Sequence, residues 1–227
     1  AFSFLGVNVT IPYKESVISF LDDMGGDAAS SGAVNLIVNR EGRLVGYNTD
    51  GQGFLAGLRE NSVNFEGKAV LIGAGGAARS VACALAGAGF EPLVLLDIDN
   101  QRASALAEFL NAEWACRASG GLMSDENFAR YARDASLIVN CSPVGMHPRE
   151  KESPVHDLSF LPREAVLCDL IYNPRQTRFL AMGRESGLKT INGLPMFIHQ
   201  AALTLEIVLG IEPPLQFMKE VIADAIK

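Results

Sequence analysis

Positive charge is in short supply in this 227-residue sequence: 19 Lys and Arg stand against 26 Asp and Glu, the net charge is −7, and no basic run occurs. A surface without a basic patch suits neither nucleic acid nor an acidic membrane, so a small-molecule partner is expected. Cysteine is sparse as well. Cys83, Cys116, Cys141 and Cys168 lie far apart, without the close pairs or histidine spacing of a structural zinc site, and are expected to be buried reduced thiols. His147, His156 and His199 share no ligand spacing either, so no metal is expected. No apolar stretch is long enough to cross a bilayer, and no cationic segment precedes an apolar one near the N-terminus, which makes the cytoplasm the expected compartment. Internal repeats and low-complexity tracts are also missing. The 22 glycines exceed the roughly 7% of average composition, but they come in short clusters between apolar runs. That is the texture of tight turns in a packed α/β protein.

The chain opens in a strand-like pattern at its first ten residues with no initiator methionine, a start that reads as a cut. Val17, Phe20, Leu21 and Met24 have helical spacing, which predicts a helix over residues 15–24. Two apolar runs at 33–38 and 44–47, joined through Gly42, predict a hairpin. A helix follows to about Asn61, with Thr49 or Asp50 placed to cap it. After Gly67 the texture becomes βαβ: a strand at 69–72, an Ala-rich helix at 77–88 and a strand at 92–97. Further helices at about 100–111 and 125–131 alternate with strands near 114–117, 137–140 and 165–169. The expected class is therefore α/β, with a Rossmann-type doubly wound parallel sheet and a smaller α/β domain. Helices at about 195–209 and 214–226 close the chain.

The segment Val70-Leu71-Ile72-Gly73-Ala74-Gly75-Gly76-Ala77-Ala78 reads strand, G-x-G-x-x-A, helix. Gly73 makes the tight turn, Gly75 lets backbone amides approach a pyrophosphate, and the small Ala78 lets helix pack on strand. Asp97 ends the next strand 24 positions after Gly73, near the spacing of a carboxylate that binds a ribose. Asp97 and Asp99 bracket Ile98, and a 2′-phosphate beside them would be repelled by a few kcal/mol. Only Arg102 stands near enough to offset this, so NAD is expected over NADP.

Oxidation of an alcohol also needs a group that exchanges a proton. Lys14 follows Pro12 at the end of one strand, and Asp50 sits at a strand-to-helix turn. Each alone would pass for a solvated surface group. Together with further segments they carry more weight. "GVNVTIPYK", "GAVNLIVN", "GYNTDGQGF", the glycine loop, "NCSPVGM", "DLIYNPRQTRFL" and "NGLPMFIHQAA" stand in the order found in the shikimate dehydrogenase family, which this chain resembles over essentially its whole length.

That resemblance implies reversible oxidation of the 3-hydroxyl of shikimate, or the corresponding hydroxyl of quinate, in the shikimate pathway of aromatic amino acid biosynthesis. It implies Lys14 and Asp50 as the catalytic pair, and Thr10, Asn35, Tyr172 and Gln200 as contacts to a polyhydroxy cyclic acid. It also implies a cofactor site formed by Gly73, Ala74, Gly75, Gly76, Ala77, Asp97, Cys141, Ser142, Val144, Met146, Gly193 and Met196. Where many members carry Asn-Arg-Thr, this chain has Asp97-Ile98-Asp99, which agrees with the charge argument for NAD. The family begins with a further segment bearing a Ser-x-Ser motif that binds the substrate carboxylate; Ser3 does not match it, so a substrate domain incomplete at its N-terminus is expected. The cofactor domain is expected over 62–192, with the substrate domain built from 1–61 and completed by helices of 193–227, as a monomer or homodimer. A catalytically silent ligand-sensing module of the same fold is the alternative, disfavoured by the presence of both Lys14 and Asp50.

Overall fold

A computed structural model describes residues 4–225; Ser3 lies outside them. In chain order, β1 (Gly6–Asn8) leads through a 3₁₀ turn at Ser16–Phe20 to β2 (Asp23–Met24) and α1 (Asp27–Ser31), then to β3 (Leu36–Arg40) and β4 (Arg43–Tyr47). These strands form one sheet in the order β1-β3-β4-β2, with β3 antiparallel to both β1 and β4 and β2 parallel to β4. Next come α2 (Asp50–Glu60), β5 (Lys68–Ile72), α3 (Gly76–Ala88), β6 (Leu93–Asp97), α4 (Asn100–Glu113), β7 (Ala118–Leu122), α5 (Asp125–Ala132), β8 (Ala135–Asn140), β9 (Val166–Asp169), α6 (Arg178–Glu185) and β10 (Lys189–Ile191). The chain ends in α7 (Leu194–Leu209) and α8 (Leu215–Ala225).

The second sheet has six strands in the order β10-β9-β8-β5-β6-β7, and every pairing is parallel. Strand order reverses between β5 and β8, the crevice where doubly wound sheets take their ligands. Its four inner strands, β9, β8, β5 and β6, are near-continuous apolar runs because both faces are covered. One face packs Leu71, Leu95 and Leu137 with residues of α2, α3 and α4; the other packs Val70, Leu96 and Ile138 with Phe128 and Phe179. The helix α2 inserts Phe54, Leu55 and Leu58 into the first of these clusters and lies against α7 and α3, so the N-terminus of α2 is fixed at the junction of the two sheets.

Three local expectations change, and three short elements are added. The predicted helix over 15–24 is a single 3₁₀ turn, and Met24 belongs to β2, because Asp22 is drawn into pairing with Leu44. The strand expected near 114–117 forms at Ala118–Leu122, since α4 continues to Glu113 and Trp114 serves as its C-cap. Thr49 stands at the N-cap of α2 but makes no capping hydrogen bond; its hydroxyl accepts from Asn35 instead. The elements α1, α6 and β10 have no counterpart in the sequence reading, being short and only partly apolar.

Candidate active site

The turn after β5 sets the geometry. Gly73 has φ of +103°, a region that side chains avoid, and a Cβ there would lie 3.2 Å from the Cys141 carbonyl carbon and the Ser142 nitrogen. The helix α3 then starts at Gly76 with Gly75 as N-cap and no side chain capping it. Its first amides, those of Gly76, Ala77 and Ala78, are thus left to an anion at the positive end of the helix dipole. A dinucleotide pyrophosphate fits this cradle.

Beside the cradle, Asp97 at the end of β6 accepts from the Ala74 amide through Oδ2 at 2.6 Å and from the Asp99 amide through Oδ1 at 2.9 Å. Asp99 in turn caps α4, accepting from the amides of Gln101 and Arg102. The two carboxylates bracketing Ile98 therefore brace the loop and the next helix. Ile98 itself is 87% exposed, and Arg102 reaches over the loop, its Nη2 3.7 Å from where a Gly75 Cβ would sit.

Across the junction, Lys14 Nζ donates to Asp50 Oδ2 at 2.5 Å, with the two side chains only 12% and 7% exposed. Asp50 Oδ1 accepts from Asn35 Nδ2 at 2.9 Å, and the Asp50 amide donates to Asn48 Oδ1 at 3.0 Å. Asn35 also donates to Thr49 Oγ1 at 2.8 Å and accepts from the Thr49 amide at 2.9 Å. Both amide protons of Asn35 are thereby committed, leaving it one acceptor lone pair. Asn48 continues the chain to the Ser80 hydroxyl of α3 at 2.7 Å. Lys14 meets α3 directly too: its Cβ and Cδ lie 3.2 and 3.7 Å from the point a Gly76 Cβ would occupy. The Lys14–Asp50 pair and the glycine loop are one contiguous surface.

From α7, Gln200 Oε1 accepts from Thr49 Oγ1 at 3.4 Å while its Nε2 donates to the Phe197 carbonyl. Phe197 stacks on Tyr172 at 4.5 Å between ring centroids. Met196 borders a void of about 10 Å³ with Asp169, Leu170 and Pro195, about the space of one water. Gly193 caps α7 and donates to the Ile171 carbonyl. Thr10 stays exposed, its carbonyl accepting from Tyr13, outside the chain of bonds that joins Lys14, Asp50, Asn35 and Gln200 through Thr49.

The loop after β8 carries Cys141, Ser142, Val144 and Met146. Ser142 is pinned by its amide and hydroxyl to Asn140 Oδ1 at 3.0 and 2.7 Å, and the Val144 amide donates to the Ser142 hydroxyl. Met146 is exposed; Cys83, Cys116 and Cys168 are buried as expected but Cys141, in the loop after β8, is half-buried, and desolvation of its thiol pushes it far up. Burial also pushes Cys83 up to about 12. The sequence motifs contain Asn48, Thr49, Asn140 and Asp169 without marking them as a hydrogen-bonding network, and Ser80 lies outside them; for Asn140 and Asp169 a further signal is that each ends an otherwise apolar strand.

A separate cavity of about 310 Å³ lies behind α2, lined by Asp27, Asn48, Leu55, Ser80, Cys83 and Trp114, with neither Lys14 nor Asp50 in its wall. Among the described residues no three His, Cys, Asp or Glu side chains gather into a metal-binding group, and no helix is long and apolar enough to cross a membrane.

This chain is similar in sequence and fold to known proteins. The family described as "Shikimate dehydrogenase substrate binding domain" matches residues 1–37. The shikimate dehydrogenase (NADP(+)) of Syntrophomonas wolfei is 55% identical over 225 residues, spanning 99% of this chain and 78% of that protein. The crystal structure of shikimate 5-dehydrogenase from Listeria monocytogenes in complex with shikimate and NAD aligns with a TM-score of 0.88 at 31% identity, over 96% of this chain and 77% of that one. Quinate dehydrogenase from Corynebacterium glutamicum in complex with NAD aligns with a TM-score of 0.87 at 33% identity, over 97% and 78%.

Proposed function

Because the chain belongs to the shikimate dehydrogenase family, an oxidoreductase family that uses a nicotinamide cofactor, we propose that it reversibly oxidises the 3-hydroxyl of shikimate, with quinate as a second substrate. The observation that carries this reading is the Lys14–Asp50 contact of 2.5 Å against the first residue of the glycine-loop helix. When bound, the nicotinamide supplies the acceptor for the hydride leaving the hydroxyl-bearing carbon. Lys14 Nζ takes the hydroxyl proton as the carbonyl forms, and returns it in the reverse direction. Asp50 holds the amine in place and stabilises the ammonium, while Asn35 fixes the orientation of the Asp50 carboxylate.

In this reading Gln200 and Tyr172 meet the substrate from the α7 side, Thr10 from the turn before Lys14, and Asn35 through its remaining acceptor. Neutral hydroxyls and amides suit a ring with several OH groups, since each can donate or accept. Residues 73–77 hold the pyrophosphate. Asp97 takes the adenosine ribose, and Cys141, Ser142, Val144, Met146, Gly193 and Met196 border the nicotinamide. The cofactor domain is taken as 62–192 and the substrate domain as 1–61 with the helices of 193–227. The cytoplasmic setting expected from the sequence belongs to the same proposal.

We assign NAD as the preferred cofactor. Asp97 and Asp99 place two carboxylates at the ribose end, and Ile98 brings no charge to offset them. Arg102, over Gly75, is the group that lets a 2′-phosphate be tolerated. Relatives such as the Syntrophomonas wolfei protein are named for NADP(+), so the discriminating measurement is kcat/KM for each cofactor with shikimate and then quinate, followed by nicotinamide absorbance. The expected outcome is turnover with a ratio favouring NAD. A ratio favouring NADP overturns the cofactor assignment, and no turnover with either substrate overturns the reaction.

A further inference from the structure

Asp169 is a buried carboxylate to which the chemistry above gives no task. It ends β9, is 1% exposed, and collects three donors: Thr177 Oγ1 at 2.7 Å on Oδ2, and Asn140 Nδ2 at 3.1 Å and the Ile171 amide at 3.0 Å on Oδ1. Each donor leads to a different piece of the site. Asn140, fully buried, passes the bond on to Ser142 and to the Val144 carbonyl, which orders the loop at 141–146. Ile171 is next to Tyr172, and its carbonyl accepts from Gly193 at the start of α7. Thr177 caps α6, accepting from the Leu180 amide, and so ends the segment that carries Tyr172.

We propose that Asp169 is a positioning residue that fixes the 141–146 loop relative to the 170–177 segment, so that the nicotinamide side and the substrate side of the cleft keep one spacing. The inference rests on the assignment, made above, of these two segments to nicotinamide and substrate. Asp169 touches neither ligand; it acts through Asn140 and Thr177. A carboxylate suits the task because all its partners donate; in an asparagine one oxygen becomes an N–H, which loses the bonds from Asn140 and Ile171 if it faces them, or keeps Thr177 only by reversing that bond and taking the hydroxyl's remaining lone pair.

The test compares Asp169→Asn, Thr177→Val and Thr177→Ser with the unmodified chain. Calorimetry gives the affinity for NAD and for ADP-ribose, which lacks the nicotinamide, and steady-state kinetics give kcat and KM for shikimate. Asp169→Asn and Thr177→Val are expected to bind ADP-ribose within about twofold of the unmodified chain, to bind NAD more weakly, and to lose about tenfold in kcat or more from misplacement. Thr177→Ser, which keeps the hydroxyl, is expected to behave as the unmodified chain does. NAD affinity and kcat left unchanged in the folded variants overturn the proposal, and so does an equal loss of NAD and ADP-ribose binding. If Asp169→Asn does not fold, the contrast between the Val and Ser variants at Thr177 decides. A chain that binds NAD yet oxidises no shikimate overturns the assigned reaction alone, because the difference between NAD and ADP-ribose affinity reads the loop without turnover.

Discussion

The two sheets are stabilised to very different degrees. The six-stranded sheet buries Leu71, Leu85, Leu93, Leu95, Leu110 and Leu137 completely, with apolar clusters on both faces. Among the described residues the four-stranded sheet has a buried cluster of Ala28, Val34 and Ile37, with Ala33, Leu36 and Val38 also buried, while Leu5, Ile11, Tyr13 and Phe20 around it are each more than 60% exposed. The Lys14–Asp50 pair spans this divide. Asp50 starts α2, whose Phe54, Leu55 and Leu58 belong to the large cluster, whereas Lys14 comes from the sparse side. A region with few buried apolar contacts opens at lower free energy than a packed core. The acidic partner is thus the fixed one, and the lysine is held by its bond to Asp50, its carbonyl's bond to the Val34 amide and its packing on Gly76.

The largest effect is expected at the bridge itself. Lys14→Ala should lower kcat by about 10²- to 10⁴-fold with little change in KM, since general acid/base help acts in the transition state; a near-normal kcat would remove the lysine from the mechanism. The unequal cores can be compared directly by chemical denaturation. Leu71→Ala, in the large cluster, should cost about 2–5 kcal/mol, and Leu44→Ala, half-buried against the small one, roughly 1 kcal/mol. Equal costs would break the comparison.

Next in size is a pH effect confined to the six-stranded side. Burial raises the Asp169 carboxyl to about 6, outweighing the bonds from Thr177, Ile171 and Asn140, against roughly 4 in an unfolded chain. The folded state then holds this proton more tightly than the unfolded state. The resulting stabilisation is fully present below about pH 4 and is lost as pH rises through about 6, amounting to about 3 kcal/mol. Unfolding free energies of the unmodified chain and Asp169→Asn, followed from pH 4 to 7, should diverge by that amount; parallel curves would remove the effect. The smallest change is expected at the outer helix. Burial acts to raise the Glu60 carboxyl, but hydrogen bonds from Lys219 and His199 bring it below its usual value, so its contribution is present above about pH 4 and fades as pH falls. With Glu60 38% exposed, Glu60→Gln should cost under about 1 kcal/mol, seen as faster amide exchange in α8 and not in α2.

Legibility in the sequence followed the same divide. Strands β5, β6, β8 and β9 stood out because a strand covered on both faces must be a continuous apolar run, and the glycine loop stood out because only small residues fit between β5 and α3. Around the smaller sheet, residues 15–24 mimic a helix at the level of spacing. They lack the buried face that would hold one, since Phe20 ends up 77% exposed, and the chain pairs along β4 instead. At the site, Lys14, Asp50, Asn35 and Gln200 were named from the order of motifs, which gave their identities without their bonds. Either Thr49 or Asp50 suits a helix cap by residue type; Thr49 takes the N-cap position, but Asn35, just before β3, draws its hydroxyl and the Asp50 carboxylate into another role.

By itself the sequence determined the α/β class, the parallel sheet and the glycine turn between β5 and α3, all of which rest on apolar periodicity and glycine spacing within a few tens of residues. Only the tertiary structure decided which polar groups meet. Lys14 and Asp50 are 36 positions apart, and Asn140 and Asp169 are 29 apart. A hydrogen bond depends on distances of a few tenths of an ångström, which packing sets and local sequence pattern does not encode.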